Sequence, residues 1–380
     1  MADRVIVLIE DDWELLGNGL GNVAHLQYTP GLFLLRLADR LGMKVTFMAE
    51  TLQQLTMRRL GAGHRELAMQ AALWEECVRL FTDRGHDVQL HLHPQWEGAE
   101  YRDGFFRLNR NWNVAAHPAD ARRRMIAESS VYLTELLRPQ RPEYAVRAFK
   151  AGSWGLQPSA GILADLEAAG VHIVMGVGRG IHYRTSEFQA DYDGLEEDTL
   201  PYHPDYDDIR RVARTPNPLV VLPLPWYEVR AGDLARKAGK RLVNRGGGAD
   251  PVRDRFFYQG PVPADLDVSS PMGPPRGRGS GVKRFLGIRS LDIAGAPFDE
   301  MKLGLDQAME RCVRADAPAV PLVLQSHTKG YEGNWADLER FYTYLGERYG
   351  RMIEFQTLSQ LVAALPTLRV RGGGGAARPG

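Results

Sequence analysis

The chain has 380 residues, of which 44% are apolar, enough for one large domain or two modest ones with a packed core. Basic and acidic residues number 47 each, so the formal net charge is zero. A chain with this charge balance has no overall field to gather nucleic acid or an anionic membrane. We therefore expect a small-molecule or oligosaccharide substrate as the partner, and the sequence leaves the oligomeric state open.

Neither a leader nor a membrane anchor is predicted. The first strand begins at residue 5 without a basic segment and an apolar stretch ahead of it, and no apolar run approaches the ~20 residues of a spanning helix. Cys77 and Cys312 have no Cys-x-x-Cys or Cys-His spacing, which predicts buried, reduced thiols. These features favour a cytoplasmic protein.

Strand-like and helix-like segments alternate along most of the chain. The predicted strands are Val5–Ile9, Lys44–Met48, Val88–His93, Val146–Lys150, Val171–Met175, Leu219–Leu222, Pro321–Gln325 and Met352–Phe355. The predicted helices are Pro30–Leu41, His64–Arg84, Pro118–Leu137, Ala160–Ala169, Asp299–Arg314, Trp335–Tyr349 and Leu358–Leu365. This order indicates a parallel sheet or a (β/α) barrel, so the residues that follow each strand should face a common pocket.

Two stretches interrupt the alternation. Residues 176–217 lack clear periodicity, and residues 233–296 are rich in Gly, Pro and Arg, as in Arg245–Gly248. The tail at 371–380 contains four consecutive glycines and is predicted to be disordered. We predict one catalytic domain over residues 1–370, with insertions at 176–217 and 233–296.

Adjacent carboxylates follow the first predicted strand. Asp11 and Asp12 come directly after Glu10, where the apolar run ends. Because neighbouring anions repel each other in a partly dry cleft, a fold tolerates them best beside a metal ion or a cationic partner. The end of the first strand is therefore a candidate site.

The third strand ends in His91-Leu92-His93. Residues two apart on a strand point to the same face, so the two imidazoles should converge at the carboxyl end of the sheet. Two imidazoles and a carboxylate suit Zn²⁺ or a similar divalent ion, although either histidine alone is equally consistent with a structural role. Amidohydrolase-type barrels also have a His-x-His pair, but theirs follows the first strand.

A further histidine, His327, lies at the end of the late strand that closes with Leu324-Gln325-Ser326. A single histidine is more often structural than catalytic. Its position after a strand makes His327 a candidate for acid–base chemistry.

Taken in order, these motifs resemble those of the polysaccharide deacetylases of carbohydrate esterase family four. The family's Thr-Phe-Asp-Asp-Gly, Gly-His-Glu-Ile, Arg-Pro-Pro-Tyr and Leu-x-x-His motifs are similar to Ile9–Trp13, Gly85–Val88, Lys150–Trp154 and Leu324–His327. The resemblance covers most of the catalytic barrel. It implies a distorted (β/α) barrel of about seven parallel strands and an enzyme that removes an N-acetyl or other N-acyl group.

The resemblance also implies roles for individual residues. Asp11 would be the general base, Asp12 and His91 metal ligands, and His327 the general acid. Zn²⁺ is the favoured ion, and Co²⁺, Ni²⁺, Mn²⁺ or Fe²⁺ are also compatible. Attack of metal-activated water would give an oxyanion near the backbone amide of Ser153, and the products would be acetate and a free amine.

The chain departs from the family at three positions. Gln95 stands where the family has its second histidine, and strand geometry favours His93 as the replacement ligand. Trp13 replaces the glycine after the aspartates, which favours a small substrate. Lys150 replaces the arginine that supports the base; it would neutralise Asp11, whereas Arg147 should point to the opposite face.

Aromatic and acidic side chains suggest the substrate class. The candidate substrate-binding residues are Trp13, Trp96, Trp154, Trp226 and Tyr206, although packing is as favoured as ligand contact for each tryptophan. The acidic residues within 191–208 are most simply a solvated loop. If they cover the pocket, they favour an amine-bearing partner, such as a small N-acetylated amino sugar or an aminoglycoside-like intermediate.

Other interpretations remain open. Tyr183-Arg184 and the basic stretch Arg276–Arg284 could bind a nucleotide-linked sugar, but no Gly-rich loop opens a helix there. Related barrels also hydrolyse other C–N bonds, such as cyclic amides. A catalytically silent carbohydrate-binding barrel is the alternative from a different functional class.

Overall fold

The computed structural model describes residues 2–233, 262–273, 287–331 and 333–372. In these ranges the strands are β1 (Arg4–Trp13), β2 (Val45–Glu50), β3 (Asp87–Leu92), β4 (Glu100–Arg102), β5 (Phe105–Arg107), β6 (Ala148–Ala151), β7 (Ile173–Met175), β8 (His182–Arg184), β9 (Gln189–Asp191), β10 (Val220–Val221), β11 (Trp226–Val229), β12 (Gly287–Ser290), β13 (Ala319–Ser326) and β14 (Ile353–Phe355). The principal helices are α1 (Thr29–Leu41), α2 (Thr51–Gly61), α3 (Arg65–Asp83), α4 (Ala119–Leu137), α5 (Ile162–Ala168), α6 (Phe298–Arg314), α7 (Trp335–Tyr349) and α8 (Leu358–Ala364).

The main sheet runs in the order β10-β7-β6-β3-β2-β1-β13 and curls into a half-barrel of parallel strands surrounded by helices. β14 pairs with the first half of β1, while β2 pairs with the second half. The predicted distorted (β/α) barrel is confirmed. Each predicted strand and helix overlaps an observed one.

Central strands are buried on both faces, which explains their continuous apolar sequences. β1 is exposed only at Arg4, and all of β2, β3 and β13 is buried. The carboxyl ends of β6, β3, β2, β1 and β13 lie side by side in that order through the pairings of the sheet. Polar residues at these ends are therefore buried together rather than dispersed over the surface.

Helix α2 is absent from the predicted elements. It begins directly after β2, and the Glu50 side chain caps it by accepting from the Gln53 backbone N–H at 3.1 Å. Gln53, Gln54 and Thr56 of this helix are buried. Buried polar residues hide the apolar periodicity by which an amphipathic helix is predicted.

The first insertion contains the hairpin β8–β9, and the second contributes β12, which pairs with β11. The predictions for Arg245–Gly248, Arg276–Arg284 and residues 373–380 lie outside the described residues. Among the helices of the described ranges, none combines the length and apolar character needed to cross a membrane.

Candidate metal centre

Strand alternation sorts the acidic residues of β1 onto two faces. Glu10 and Asp12 both contact Lys150, whereas Asp11 points to the other side and contacts Ser326 of β13. Glu14 follows two residues after Asp12 and lies on the same side as Asp12. The carboxylates that share one face are therefore two residues apart, as a regular strand requires.

Three ligand atoms meet beside this face. Glu14 Oε2 lies 3.5 Å from His91 Nε2 and in direct contact with His93 Nε2. The ligand atoms of these three buried residues all lie within 4.8 Å of one another. Two imidazoles and a carboxylate form the donor set of many zinc centres, so the three residues fit a divalent transition metal.

The Nδ1 atoms of His91 and His93 are held in place by neighbouring polar groups. His91 Nδ1 lies 2.9 Å from the Lys150 carbonyl oxygen, and His93 Nδ1 lies 2.8 Å from Gln95 Nε2. Both Nε2 atoms are buried and face Glu14 Oε2. Ligating imidazoles are commonly oriented in this way, through the nitrogen that faces away from the metal.

Charge at this cluster favours a cation. Burial alone would raise the pKa of Glu14, but His93 and Lys329 outweigh it and hold the pKa well below its ordinary value. Burial lowers the pKa of His91, but Asp12 and Glu14 outweigh this effect and raise the pKa to about 9. The anionic surroundings thus stabilise positive charge at His91, whereas burial holds the pKa of His93 below its ordinary value.

Lys150 is fully buried between two carboxylates. Its Nζ lies 2.6 Å from Glu10 Oε1 and 2.8 Å from Asp12 Oδ2, and it donates to Gln325 Oε1 at 3.0 Å. Burial and the neighbouring Asp12 raise the pKa of Glu10 to about 8, although Lys150 opposes the shift. Burial also opposes ionisation of Asp12, but Lys150, His91 and His327 together outweigh burial and lower the pKa of Asp12.

His327 lies between two carboxylates. Its Nε2 is 3.1 Å from Asp12 Oδ2 and its Nδ1 is 2.9 Å from Asp292 Oδ2. Burial lowers the pKa of His327, but Asp292 and Asp12 outweigh burial and raise it to about 10. Gln325 Nε2 donates to Asp292 at 3.2 Å, so one amide links the Lys150 and His327 contacts.

Asp11 does not share these contacts. It accepts hydrogen bonds from the Ser326 hydroxyl, from the Thr328 backbone N–H at 3.2 Å and from the Tyr331 hydroxyl at 3.1 Å. Lys150 therefore supports Asp12 and Glu10 rather than Asp11. Arg147 is exposed and lies 3.3 Å from His172, on the opposite face of β6.

A cavity of about 290 Å³ opens onto the cluster. Its ionisable lining residues are Asp12, Glu14, His93, His327 and Lys329, and its other lining residues include Leu16, Trp112, Ser153, Trp154, Val268 and Met272. Ser153 and Trp154 have positive φ angles of 54° and 57°, a strained conformation for residues with side chains. Val268 and Met272 belong to the described part of the second insertion.

The predicted tryptophans have different locations. Trp154 lines the cavity and donates from Nε1 to Gln325 at 3.2 Å. Trp13 is fully buried and packs 5.4 Å from Trp74, because it shares the face of Asp11 rather than that of Asp12. The predicted contact of Trp13 with substrate is therefore not supported, and Trp13 does not narrow the cavity.

The remaining predicted aromatic contacts also lie outside the cavity lining. Trp96 is buried against Phe106, with ring centroids 4.8 Å apart. The Trp226 ring lies between the guanidinium groups of Arg179 and Arg311. The Tyr206 hydroxyl donates to Glu167 at 2.5 Å.

The acidic loop pairs largely with its own basic residues. Asp191 lies 2.8 Å from His182 and Asp198 lies 2.8 Å from Arg179. Asp208 contacts Arg210 at the same distance. None of the loop carboxylates lines the described part of the cavity, so the field predicted for an amine-bearing partner is not supported.

Sequence reasoning missed Glu14, Asp292 and Glu50. Glu14 could have been found by extending the alternation of β1, whereas Asp292 lies in an aperiodic segment and reaches His327 through the tertiary fold. Glu50 ends β2 opposite His91; its Oε2 atom is buried and lacks a hydrogen-bond partner within the described ranges. Burial raises the pKa of Glu50 to about 8.

No family model and no curated protein sequence matches the chain. Similar solved structures include a 4-alpha-glucanotransferase from Thermococcus litoralis (13% identity, TM-score 0.45), a protein assigned as a polysaccharide deacetylase from Mycobacterium smegmatis (13%, 0.45) and the Puue allantoinase (14%, 0.44). The alignments cover 97%, 100% and 96% of this chain, and 41%, 96% and 90% of those proteins. At these identities the likeness concerns the fold alone, and deacetylases are among the structures that the chain resembles, as its motifs predicted.

Proposed function

We propose that the chain is a metal-dependent hydrolase that removes an N-acyl group, above all an N-acetyl group, from an amino sugar or a small glycan intermediate. The main support is the convergence of Glu14, His91 and His93 beside the contact between Asp12 and His327. Four of these five residues line one cavity. The arrangement therefore combines a metal-binding donor set with a base and an acid.

The proposed ligands are Glu14, His91 and His93. Glu14 takes the role that the sequence resemblance gave to Asp12, because Asp12 Oδ2 is engaged by Lys150 and His327. Zn²⁺ is the favoured ion, with Co²⁺, Ni²⁺, Mn²⁺ and Fe²⁺ as alternatives. A bound ion of this kind lowers the pKa of water towards ~7 and polarises an acyl carbonyl.

Asp12 is the proposed general base. Lys150 lowers its pKa against the effect of burial, so the carboxylate is ionised at neutral pH. Its Oδ1 atom has no hydrogen-bond partner within the described ranges, which leaves one oxygen to accept a proton. Asp11 lacks this freedom because Ser326, Thr328 and Tyr331 all donate to it.

His327 is the proposed general acid. A pKa of about 10 keeps its imidazole protonated at neutral pH, and the side chain lines the cavity. Asp292 accepts from Nδ1 and so orients Nε2 towards Asp12 and the cavity. From this position Nε2 can protonate the departing amine. The strained backbone at Ser153 and Trp154 forms the wall where we place the oxyanion contact.

Acetate release from N-acetylated sugars tests this function. We expect metal-dependent release by the wild type and a loss of roughly 10²- to 10⁴-fold in kcat for Asp12→Asn and for His327→Asn. Asp11→Asn is the matched control, since it removes a neighbouring carboxylate that does not line the cavity. A panel of cyclic amides tests the alternative C–N bond. Sugar binding without turnover of any compound would favour the silent carbohydrate-binding barrel.

A further inference from the structure

Lys329 places an ammonium group on the cavity wall. It lies in the short helical turn Thr328–Gly330 that follows β13, and its Nζ contacts Glu14 Oε1. This is the Glu14 oxygen that faces away from the two imidazoles, which contact Oε2. An ammonium group has three N–H donors, and the described residues engage Lys329 through this one carboxylate oxygen.

Among the ionisable side chains that line the cavity, the cations are more exposed than the carboxylates. The side chains of Asp12 and Glu14 are only 5% and 4% exposed, whereas those of His327 and Lys329 are 14% and 21% exposed. An incoming ligand therefore meets the two cations before the two carboxylates. Such an arrangement attracts negative charge to the cavity entrance.

Each cavity carboxylate is already engaged by cations. Lys150 and His327 hold Asp12, and Lys329 holds Glu14. Among the described residues, the carboxylates of the acidic loop do not line this cavity. An amine-bearing ligand thus has few acceptors, while an anionic ligand can reach the donors of Lys329.

We propose that Lys329 binds an anionic group, a carboxylate or a phosphate, that the N-acylated substrate carries near the scissile amide. This inference depends on the proposed function and specifies its substrate class. It replaces the amine-bearing substrate predicted from the acidic loop. Charge-assisted hydrogen bonds from a lysine to such a group are short and comparatively strong, and they would orient the substrate over the metal centre.

Hydrolysis of three related substrates tests the inference. The substrates are N-acetylglucosamine, its 6-phosphate and its 6-carboxylate, which separate neutral, phosphate and carboxylate groups on one sugar. We expect the wild type to favour one of the anions over the neutral sugar by roughly 10- to 100-fold in kcat/KM. Lys329→Met should bring this ratio close to one, mainly through KM, and Lys329→Arg should retain part of it.

Lys44→Met is the matched control, because Lys44 is outside the cavity lining and donates to the Gly85 carbonyl at 3.4 Å. Metal content is measured for every variant, since Lys329 touches Glu14. A wild-type preference for the neutral sugar, or an anion preference that survives in Lys329→Met, would overturn the inference. If no compound is hydrolysed, the proposed function fails, and calorimetric titration with the two anionic sugars then tests the anion site by itself. Binding to the wild type that is lost in Lys329→Met would support the anion site. The absence of binding to the wild type would refute it.

Discussion

Gly152→Ala should displace His93 and weaken the metal centre without removing any ligand. Gly152 follows β6, and His93 follows the neighbouring strand β3. A Cβ atom at residue 152 would lie 2.5 Å from Cγ and Nδ1 of His93 and 2.6 Å from Cδ2. Contacts below 3.0 Å are essentially never seen for real Cβ atoms, so either the ring or the backbone must move.

The size of the displacement follows from the same distances. Ordinary van der Waals contact begins at 3.4 Å, so the ring and the new methyl group must separate by about 0.9 Å. A functional constellation tolerates errors of only about 0.5 Å, and a shift of about 1 Å can reduce activity by roughly 100-fold. We expect metal affinity to fall by at least about 10-fold, with a stability cost of about 1–3 kcal/mol from overpacking.

Calorimetric titration of Zn²⁺ and urea denaturation measure the two effects separately. Gly346→Ala is the control, because Gly346 lies in α7 and an added Cβ meets nothing within 4 Å. In a His93→Ala background the Gly152→Ala change should cost little further affinity, since the ring that it strikes is absent. Unchanged metal affinity in Gly152→Ala would refute the proposed position and role of His93.

Three further predictions concern charge and pH. Asp292→Asn removes an anion that raises the pKa of His327. The alkaline limit of kcat/KM should therefore move to lower pH, and kcat should fall about 10-fold or more. An unchanged pH profile would contradict the role of His327 as general acid. Lys150→Met leaves the buried Glu10 without its cation and leaves Asp12 with His327 alone. We expect the free energy of unfolding to fall by about 3–5 kcal/mol in urea denaturation, and adding Glu10→Gln should recover part of that loss. Burial, with a contribution from the nearby Lys44, lowers the pKa of His86 to about 4, so between pH 6.5 and pH 4 the unfolded chain binds the proton more readily than the folded chain. The free energy of unfolding should therefore fall by at most about 3 kcal/mol as the pH drops through this range, and this contribution should be absent in His86→Gln. Equal pH dependence of the two proteins would argue against a neutral buried imidazole.

The fold was predictable because its signals are local. Continuous apolar segments and helical periodicity each depend on a few neighbouring residues, and both persist in the parallel sheet and its helices. Helix α2 was missed because buried Gln53 and Gln54 interrupt its apolar face. The short hairpins were missed because three residues per strand give almost no period to detect.

The candidate site was only partly predictable. Alternation along β3 anticipated the convergence of His91 and His93, and the same rule applied to β1 would have separated Asp11 from Asp12 and added Glu14. The family motif instead assigned both aspartates to one pocket. Asp292 could not be found in this way, because its contact with His327 depends on how a segment without periodicity packs against the end of β13.

The most direct test of the central claim is the metal content of three purified proteins, measured by elemental mass spectrometry after reconstitution with Zn²⁺. The account predicts about one ion per wild-type chain, retention of that ion in Asp12→Asn and its loss in Glu14→Gln. Circular dichroism establishes that each variant is folded. Loss of the ion in Asp12→Asn with retention in Glu14→Gln would contradict the assignment, and a wild type that binds no metal would refute the metal-dependent mechanism itself.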